Sequence, residues 1–206
     1  MRKAISPQLL FWFFAIALIA CNSKGRFHSQ EKQLLQLADS IEFEASALAN
    51  VPAAEASGAF LWAQENLREF ELLLEDEEIT VTREEGEIIS QVSRARRLLK
   101  DNSKRRQSIL NSQQRTLLQL RGLAQALGNE ATHDSEGTPM DSAYIAENVS
   151  RELQMGRTLK ATIEETKSYA SRGIKTVEEI RPQSDSLQTQ LRGKLARLIL
   201  ERGSVE

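Results

Sequence analysis

The sequence predicts an all-α protein, an elongated antiparallel helical bundle with coiled-coil-like packing. The chain has 206 residues, only four prolines and 5% aromatic residues. Leu, Ala, Glu, Gln and Arg, which favour helices, are abundant instead. Apolar residues recur at spacings of three and four, as in a coiled-coil seam, and no run of alternating β-branched residues predicts a strand. We expect three helical rods, two of them broken at prolines.

The first rod is predicted over 31–75, with a break at Pro52. An apolar stripe from Leu34 to Leu48 indicates a helix that ends near Ala49. Pro52 can begin the next helix, since its missing N–H falls where a donor has no helical partner anyway. The stripe of that second helix is Phe60, Ala63, Leu67, Phe70 and Leu74. If Pro52 instead reverses the chain, a four- or five-helix bundle results.

The second rod is predicted over 83–127, after a turn at 76–81. Acidic residues crowd the start of that turn, and negative charge is unfavourable at a helix C-terminus. Thr82, followed three residues later by Glu85, resembles a capping box and opens the rod. Two successive four-residue steps around Ser103 predict a stutter, which locally unwinds a supercoil. The predicted stripe is Val92, Ala95, Leu99, Ser103, Arg106, Leu110, Gln113, Leu117, Leu120, Ala124 and Leu127.

The third rod is predicted over 142–202. Gly128 ends the preceding helix, and Asp141 is a good N-cap for the next one. Pro182 is expected to kink or stop the rod, because proline lacks the N–H that an interior helical position must donate. Ser184 or Asp185 would then cap a last helix.

The amino terminus carries the pattern of an export signal. Arg2 and Lys3 precede an uninterrupted apolar run from Leu9 to Ala20, which is too short to span a membrane. The run ends in Leu18-Ile19-Ala20-Cys21, which resembles a bacterial lipobox. The resemblance implies cleavage between Ala20 and Cys21 and acylation of Cys21. A plain secretory signal or a short uncleaved anchor is the alternative.

The lipobox implies a domain organisation and a location. We expect a signal peptide at 1–20, a flexible tether at 21–30 and a single helical bundle domain at 31–206. In Gram-negative lipoproteins an Asp after the acylated Cys tends to retain the protein at the inner membrane. Asn22 stands there instead. The resemblance therefore favours the outer membrane, facing the periplasm, with the cell surface or the inner membrane as alternatives.

Known catalytic patterns are missing from the sequence. The chain has one cysteine and two histidines, and neither a P-loop nor a Gly-x-Ser-x-Gly run occurs. Glu130 and His133 match the Glu-x-x-His spacing of di-iron bundles, but that motif is needed twice. We therefore expect a non-enzyme without cofactor or metal. The net charge of −2 gives no indication of nucleic-acid binding.

One basic segment remains as a candidate binding site. Seven cations lie between 94 and 106, and the core of the patch is Arg94, Arg97, Lys100, Lys104 and Arg105. They form either a solvated face with inter-helix ion pairs or a dock for an anionic partner. Arg106, on the apolar stripe, is expected to extend outward past its stem.

Two function classes follow from the sequence. The first is a lipid-anchored structural or interaction module, with another envelope protein or a second copy as its partner. The alternative is a periplasmic bundle that senses or binds a small ligand. Outward apolar residues favour the first, with Leu35, Leu73, Leu98 and Leu118 as candidates, whereas a pocket with convergent polar groups favours the second.

Overall fold

A computed structural model describes residues 25–204, and it confirms the all-α prediction. Within that range the only β pairing is an isolated bridge between His133 and Pro139. The predicted signal segment, Ala20 and Cys21 lie outside the described residues. The helices are α1 (His28–Ala49), α2 (Ala53–Leu73), α3 (Arg83–Leu99), α4 (Asn102–Gly128) and α5 (Ser142–Gly203).

The predicted helix ends are set by local chemistry and are confirmed. α1 ends at Ala49, and Pro52 is the N-cap of α2. Thr82 and Glu85 form the capping box at the start of α3: the Thr82 hydroxyl accepts from the Glu85 N–H at 3.2 Å, and the Glu85 carboxylate accepts from the Thr82 N–H at 2.7 Å. The Asp141 carboxylate accepts from the Tyr144 N–H at 2.8 Å and caps α5.

The amino-terminal end of α1 differs from the prediction. α1 begins at His28, so the last residues of the predicted 21–30 tether are helical. The Arg26 guanidinium, just before the helix, donates to the Ser142 hydroxyl at 2.9 Å. The start of α1 is therefore held against the start of α5.

The helices form two compact units, whose boundaries fall inside helices. The first unit joins residues 25–39 with Thr116–Gly156, and the second joins Ser40–Arg115 with 157–204. In the first unit α1 and α4 are antiparallel, because Asp39 pairs with Arg121 at 3.6 Å while Glu31 lies beside Gly128.

The second unit contains both parallel and antiparallel helix pairs. α2 and α5 run in the same direction, since Asn66 contacts Gln188 and Glu69 pairs with Arg192. α3 runs against α5, with Lys194 near Glu85 and Leu99 packed over Gly173. A continuous apolar core joins α2, α3 and α5 around the fully buried Phe70.

The prediction that Pro182 breaks the third rod is wrong. α5 continues through it to Gly203, and Ser184, a predicted N-cap, is buried inside the bundle. Pro182 is exposed, while Ile180 and Leu187 on either side of it are core residues. Burial of these side chains offsets the roughly 3 kcal/mol that an interior proline costs.

The predicted stutter around Ser103 is also wrong. The buried seam passes through Leu99, Asn102, the half-buried Arg106 and Ile109, which keep the steps of three and four. Ser103 is exposed, and so is Leu110 at 63%. The helix is instead interrupted at residues 100–101, between α3 and α4. The seam keeps its register because a polar residue, Asn102, occupies the position that the sequence pattern assigned to Ser103.

Candidate functional sites

Four residues of the predicted basic patch lie on the outward sides of α3, of α4 and of the break between them. At about 100° per residue within each helix, Arg94 and Arg97 lie opposite the buried seam of α3 and Lys104 lies opposite that of α4, while Lys100 lies at the break between the two helices. All four are exposed, and none makes an ion pair within residues 25–204. We call them the basic face. Its charges are therefore not balanced by neighbouring helices.

Four acids of the segment upstream of the patch pair with cations of α5. Arg202 donates to both Asp76 and Glu78, at 2.8 Å in each case, and this contact holds the pKa of Asp76 below its usual range. Glu69 pairs with Arg192, and Glu85 lies 3.6 Å from Lys194. These acids thus serve the packing of α5. Within the described residues these acids therefore pair with α5 and not with the basic patch.

Arg105 and Arg106 differ from the basic face. The Arg105 guanidinium lies 5.1 Å from the centre of the Tyr169 ring and 3.6 Å from the Glu165 carboxylate. Arg106 does not extend outward as predicted. Its guanidinium donates to the carbonyl of Leu48, in the last turn of α1 (3.2 Å), and to that of Val51, just after the helix (2.8 Å). Arg106 is therefore a structural cap, and partial burial lowers the pKa of its guanidinium.

The first unit contains a cavity that the sequence did not predict. It has a volume of about 420 Å³ and lies between α4, the loop after it and the start of α5. Its polar wall is formed by Gln119, His133, Asp134, Ser135, Asn148 and Glu152. Its remaining wall is formed by Gly122, Leu123, Ala126, Met140 and Tyr144. A largely apolar cavity with a few convergent polar groups is typical of a small-molecule site.

Asp134 organises the loop that lines this cavity. One carboxylate oxygen accepts from the backbone N–H groups of Glu136 (2.9 Å) and Thr138 (2.8 Å). The other accepts from the Tyr144 hydroxyl at 2.5 Å. The Tyr144 hydrogen bond, followed by the backbone bonds, lowers the pKa of Asp134. The same hydrogen bond to Asp134 raises the pKa of the Tyr144 hydroxyl. Gly137, at φ +84°, provides the left-handed turn that closes this loop.

Glu152 is the other acidic group of the cavity. It is 7% exposed, and its Oε2 atom is buried without a hydrogen-bond partner. Its Oε1 atom lies 3.5 Å from the Nε of the exposed Arg151. Sequence reasoning missed Glu152 because the apolar Leu153 beside it also continues the spacing from Val149, by four residues. The three-residue spacing from Val149 could have indicated a buried position.

Two other depressions are weaker candidates. One is lined only by residues of α4, among them Lys104 and Arg115, and is an open surface. The other, about 250 Å³, lies between Ala59 and Val177. Glu130 and His133 lie in the loop, and no group of three or more His, Cys, Asp or Glu residues suited to a metal occurs within the described chain.

The predicted outward apolar residues divide into two groups. Leu118 is 67% exposed and Leu35 is partly exposed, as expected. The prediction that Leu73 lies outside is wrong, because Leu73 belongs to the core of the second unit. Leu98 is half-buried. No helix within residues 25–204 is long and apolar enough to cross a membrane.

Comparison with known proteins adds no family to this description. No protein-family model, curated protein or solved structure matches the chain. Function must therefore be argued from the residues themselves.

Proposed function

We propose that this protein is a lipid-anchored envelope protein whose helical bundle is a non-catalytic interaction module, with the basic face as its docking surface for an acidic protein partner. The single observation that supports the dock is the unbalanced charge of Arg94, Arg97, Lys100 and Lys104. The four cations of the basic face steer an anionic partner and set its register. The sequence around Cys21 supports the anchor.

Helix geometry keeps the basic face available. Arg96 and Arg97 lie in the last turn of α3, where positive charge complements the helix dipole. Arg106, on the opposite side, fixes α4 to the end of α1 through two carbonyl hydrogen bonds. Three of the four cations thus lie on helices and Lys100 lies in the short break between them, so that binding costs less conformational entropy than it would on a long loop.

Photocrosslinking in intact cells tests the dock. A photoreactive residue is placed at Arg97 or at Lys104, and in a control at Lys175, a cation on α5 that is also highly exposed. We expect both patch positions, but not the control, to capture one acidic envelope protein. Adducts with lipid alone, or equal capture at Lys175, would contradict the proposal.

A charge-reversal variant gives a second test. Replacing the four cations of the basic face by Glu should abolish capture from a probe placed at a neighbouring exposed position, Gln107. Because the four side chains make no ion pairs in the described chain, the fold should remain intact by circular dichroism. Undiminished capture would exclude the basic face as the docking surface.

The anchor is tested separately. Cys21→Ser removes the only thiol of the chain. We expect the wild-type protein to incorporate a radiolabelled fatty acid and the variant not to do so. Equal labelling of the two would refute acylation at Cys21.

A further inference from the structure

The cavity of the first unit has a definite electrostatic character. Two carboxylates line it, those of Asp134 and Glu152, and no Lys or Arg residue of the described chain does, although the exposed Arg151 lies 3.5 Å from the Oε1 atom of Glu152. His133 also lines it and hydrogen-bonds Thr132 through Nδ1, at 3.0 Å. A cavity with this composition favours a positively charged ligand.

The two carboxylates are not equivalent. Both oxygens of Asp134 already accept hydrogen bonds from the loop and from Tyr144. Glu152 has one buried oxygen that accepts none. An unpaired buried acceptor is costly, so a donor that reaches it binds with a gain that no solvated carboxylate can give. The terminal torsion of Glu is soft, and a small rotation can turn either oxygen toward a ligand.

The rest of the wall suits an apolar body. Leu123, Ala126 and Met140 are apolar, and Tyr144 adds an aromatic ring, which attracts organic cations as well as apolar groups. The volume of about 420 Å³ is far more than a single ion needs and falls in the usual range for small molecules. From these observations we infer that the cavity binds a small organic amine, with its ammonium group at Glu152 and its apolar part against α4.

This site is independent of the proposed docking role. The basic face belongs to the second unit, whereas every residue that lines the cavity belongs to the first. Loss of one activity should therefore leave the other unchanged.

The test uses the ¹⁵N-labelled full chain in detergent, with benzylamine as the probe and benzyl alcohol as its neutral analogue. We expect saturable amide shifts within residues 119–152 on addition of benzylamine. Benzyl alcohol should bind about tenfold or more weakly, because it lacks the charge-assisted hydrogen bond. Equal binding of the two compounds, or no saturable shift up to millimolar benzylamine, would overturn the inference.

A matched pair of charge variants locates the ammonium group. Glu152→Gln keeps the shape of the side chain and should weaken benzylamine binding about tenfold or more. Glu147→Gln removes the same charge from an exposed position of the same helix and should leave binding unchanged. Similar losses in both variants would mean that only the overall charge matters, and the site would then be rejected.

A second pair blocks the cavity without disrupting the fold. Gly122 lines the cavity, and a Cβ atom there meets no other atom within 4 Å. Gly122→Leu should therefore place a side chain in the cavity, remove the benzylamine shifts and improve the helix propensity of α4. Gly193→Leu is the control, because Gly193 also follows Gln-Leu-Arg on a helix and also has open space. Full binding by Gly122→Leu would show that the probe binds elsewhere.

Discussion

The two units differ in whether their buried polar side chains have hydrogen-bond partners. In the second unit the Asn66 side-chain oxygen accepts from Ser184 at 2.9 Å and from Gln188 at 3.0 Å, and the Asn66 amide donates to the Trp62 carbonyl at 2.9 Å. In the first unit Glu152 keeps a buried oxygen without a partner. A satisfied cluster fixes the register of packed helices, whereas an unsatisfied one leaves binding energy available for a ligand. The comparison therefore separates a structural polar group, Asn66, from Glu152, for which we propose a binding role.

The largest effect is expected at Asn66. Asn66→Ala leaves the buried Ser184 hydroxyl and Gln188 amide without their acceptor, and should lower the free energy of unfolding by about 2 to 3 kcal/mol. Asn148→Ala in the first unit is the matched control, because Asn148 makes the same amide-to-carbonyl bond four residues back but is only half-buried. Asn148→Ala should lower the free energy of unfolding by less, as measured by urea unfolding. Equal losses would remove the distinction between the units.

The next largest loss of stability is expected at Arg106. Arg106→Ala removes two charged hydrogen bonds to the end of α1 and should cost about 2 kcal/mol. Arg106→Lys should recover little of this, since an ammonium group cannot reproduce the guanidinium fork. Arg105→Ala, which breaks a more exposed pair, should cost roughly 0.5 kcal/mol. Urea unfolding of the three variants measures this order, and an equal cost at Arg105 would contradict the capping role.

Replacing Glu152 should change the free energy of unfolding in the opposite direction. Glu152→Leu replaces an unsatisfied buried carboxylate by an apolar side chain, and should raise the free energy of unfolding by about 1 kcal/mol while abolishing benzylamine binding. Thermal unfolding without ligand measures the gain. A marked loss of stability would mean that Glu152, like Asn66, is a structural residue.

The smallest effect is a difference in salt dependence. Asp76 and Asp134 both have a pKa below the ordinary value of 3.8, the first chiefly through Arg202 and the second chiefly through the neutral Tyr144 hydroxyl. Each stabilises the fold above pH 3.8, and that contribution is lost as the pH falls through the lowered pKa. High salt should raise the pKa of Asp76 more than that of Asp134, because salt screens charges but not neutral donors.

Carboxyl-carbon NMR titrations at low and high salt measure both values. Tyr144→Phe is the complementary variant, and it should raise the pKa of Asp134 without changing that of Asp76. Equal salt shifts at the two residues would show that long-range charge, and not the local donors, sets the pKa of Asp134.

The errors of the sequence reading have a common cause. The pattern placed Ser103 and Leu110 on the seam because Leu110 is apolar, but the bundle uses Asn102 and Ile109. Asn102 is acceptable there because its carboxamide oxygen accepts from Arg106 at 3.4 Å. Leu73 was expected outside and lies in the core of the second unit. Single-residue shifts of a stripe change which side chains are buried, and apolarity alone cannot detect them.

The sequence by itself determined the all-α class and the helix ends at Pro52, Thr82, Gly128 and Asp141. Those features depend on contacts between residues a few positions apart, so their chemistry is readable along the chain. Only the tertiary structure decided that Arg106 binds the carbonyls of Leu48 and Val51, that α5 continues through Pro182, and that Glu152 lines a cavity with one buried oxygen that has no hydrogen-bond partner. Each depends on groups brought together from distant parts of the chain, and burial, which sets their energies, exists only after the helices have packed.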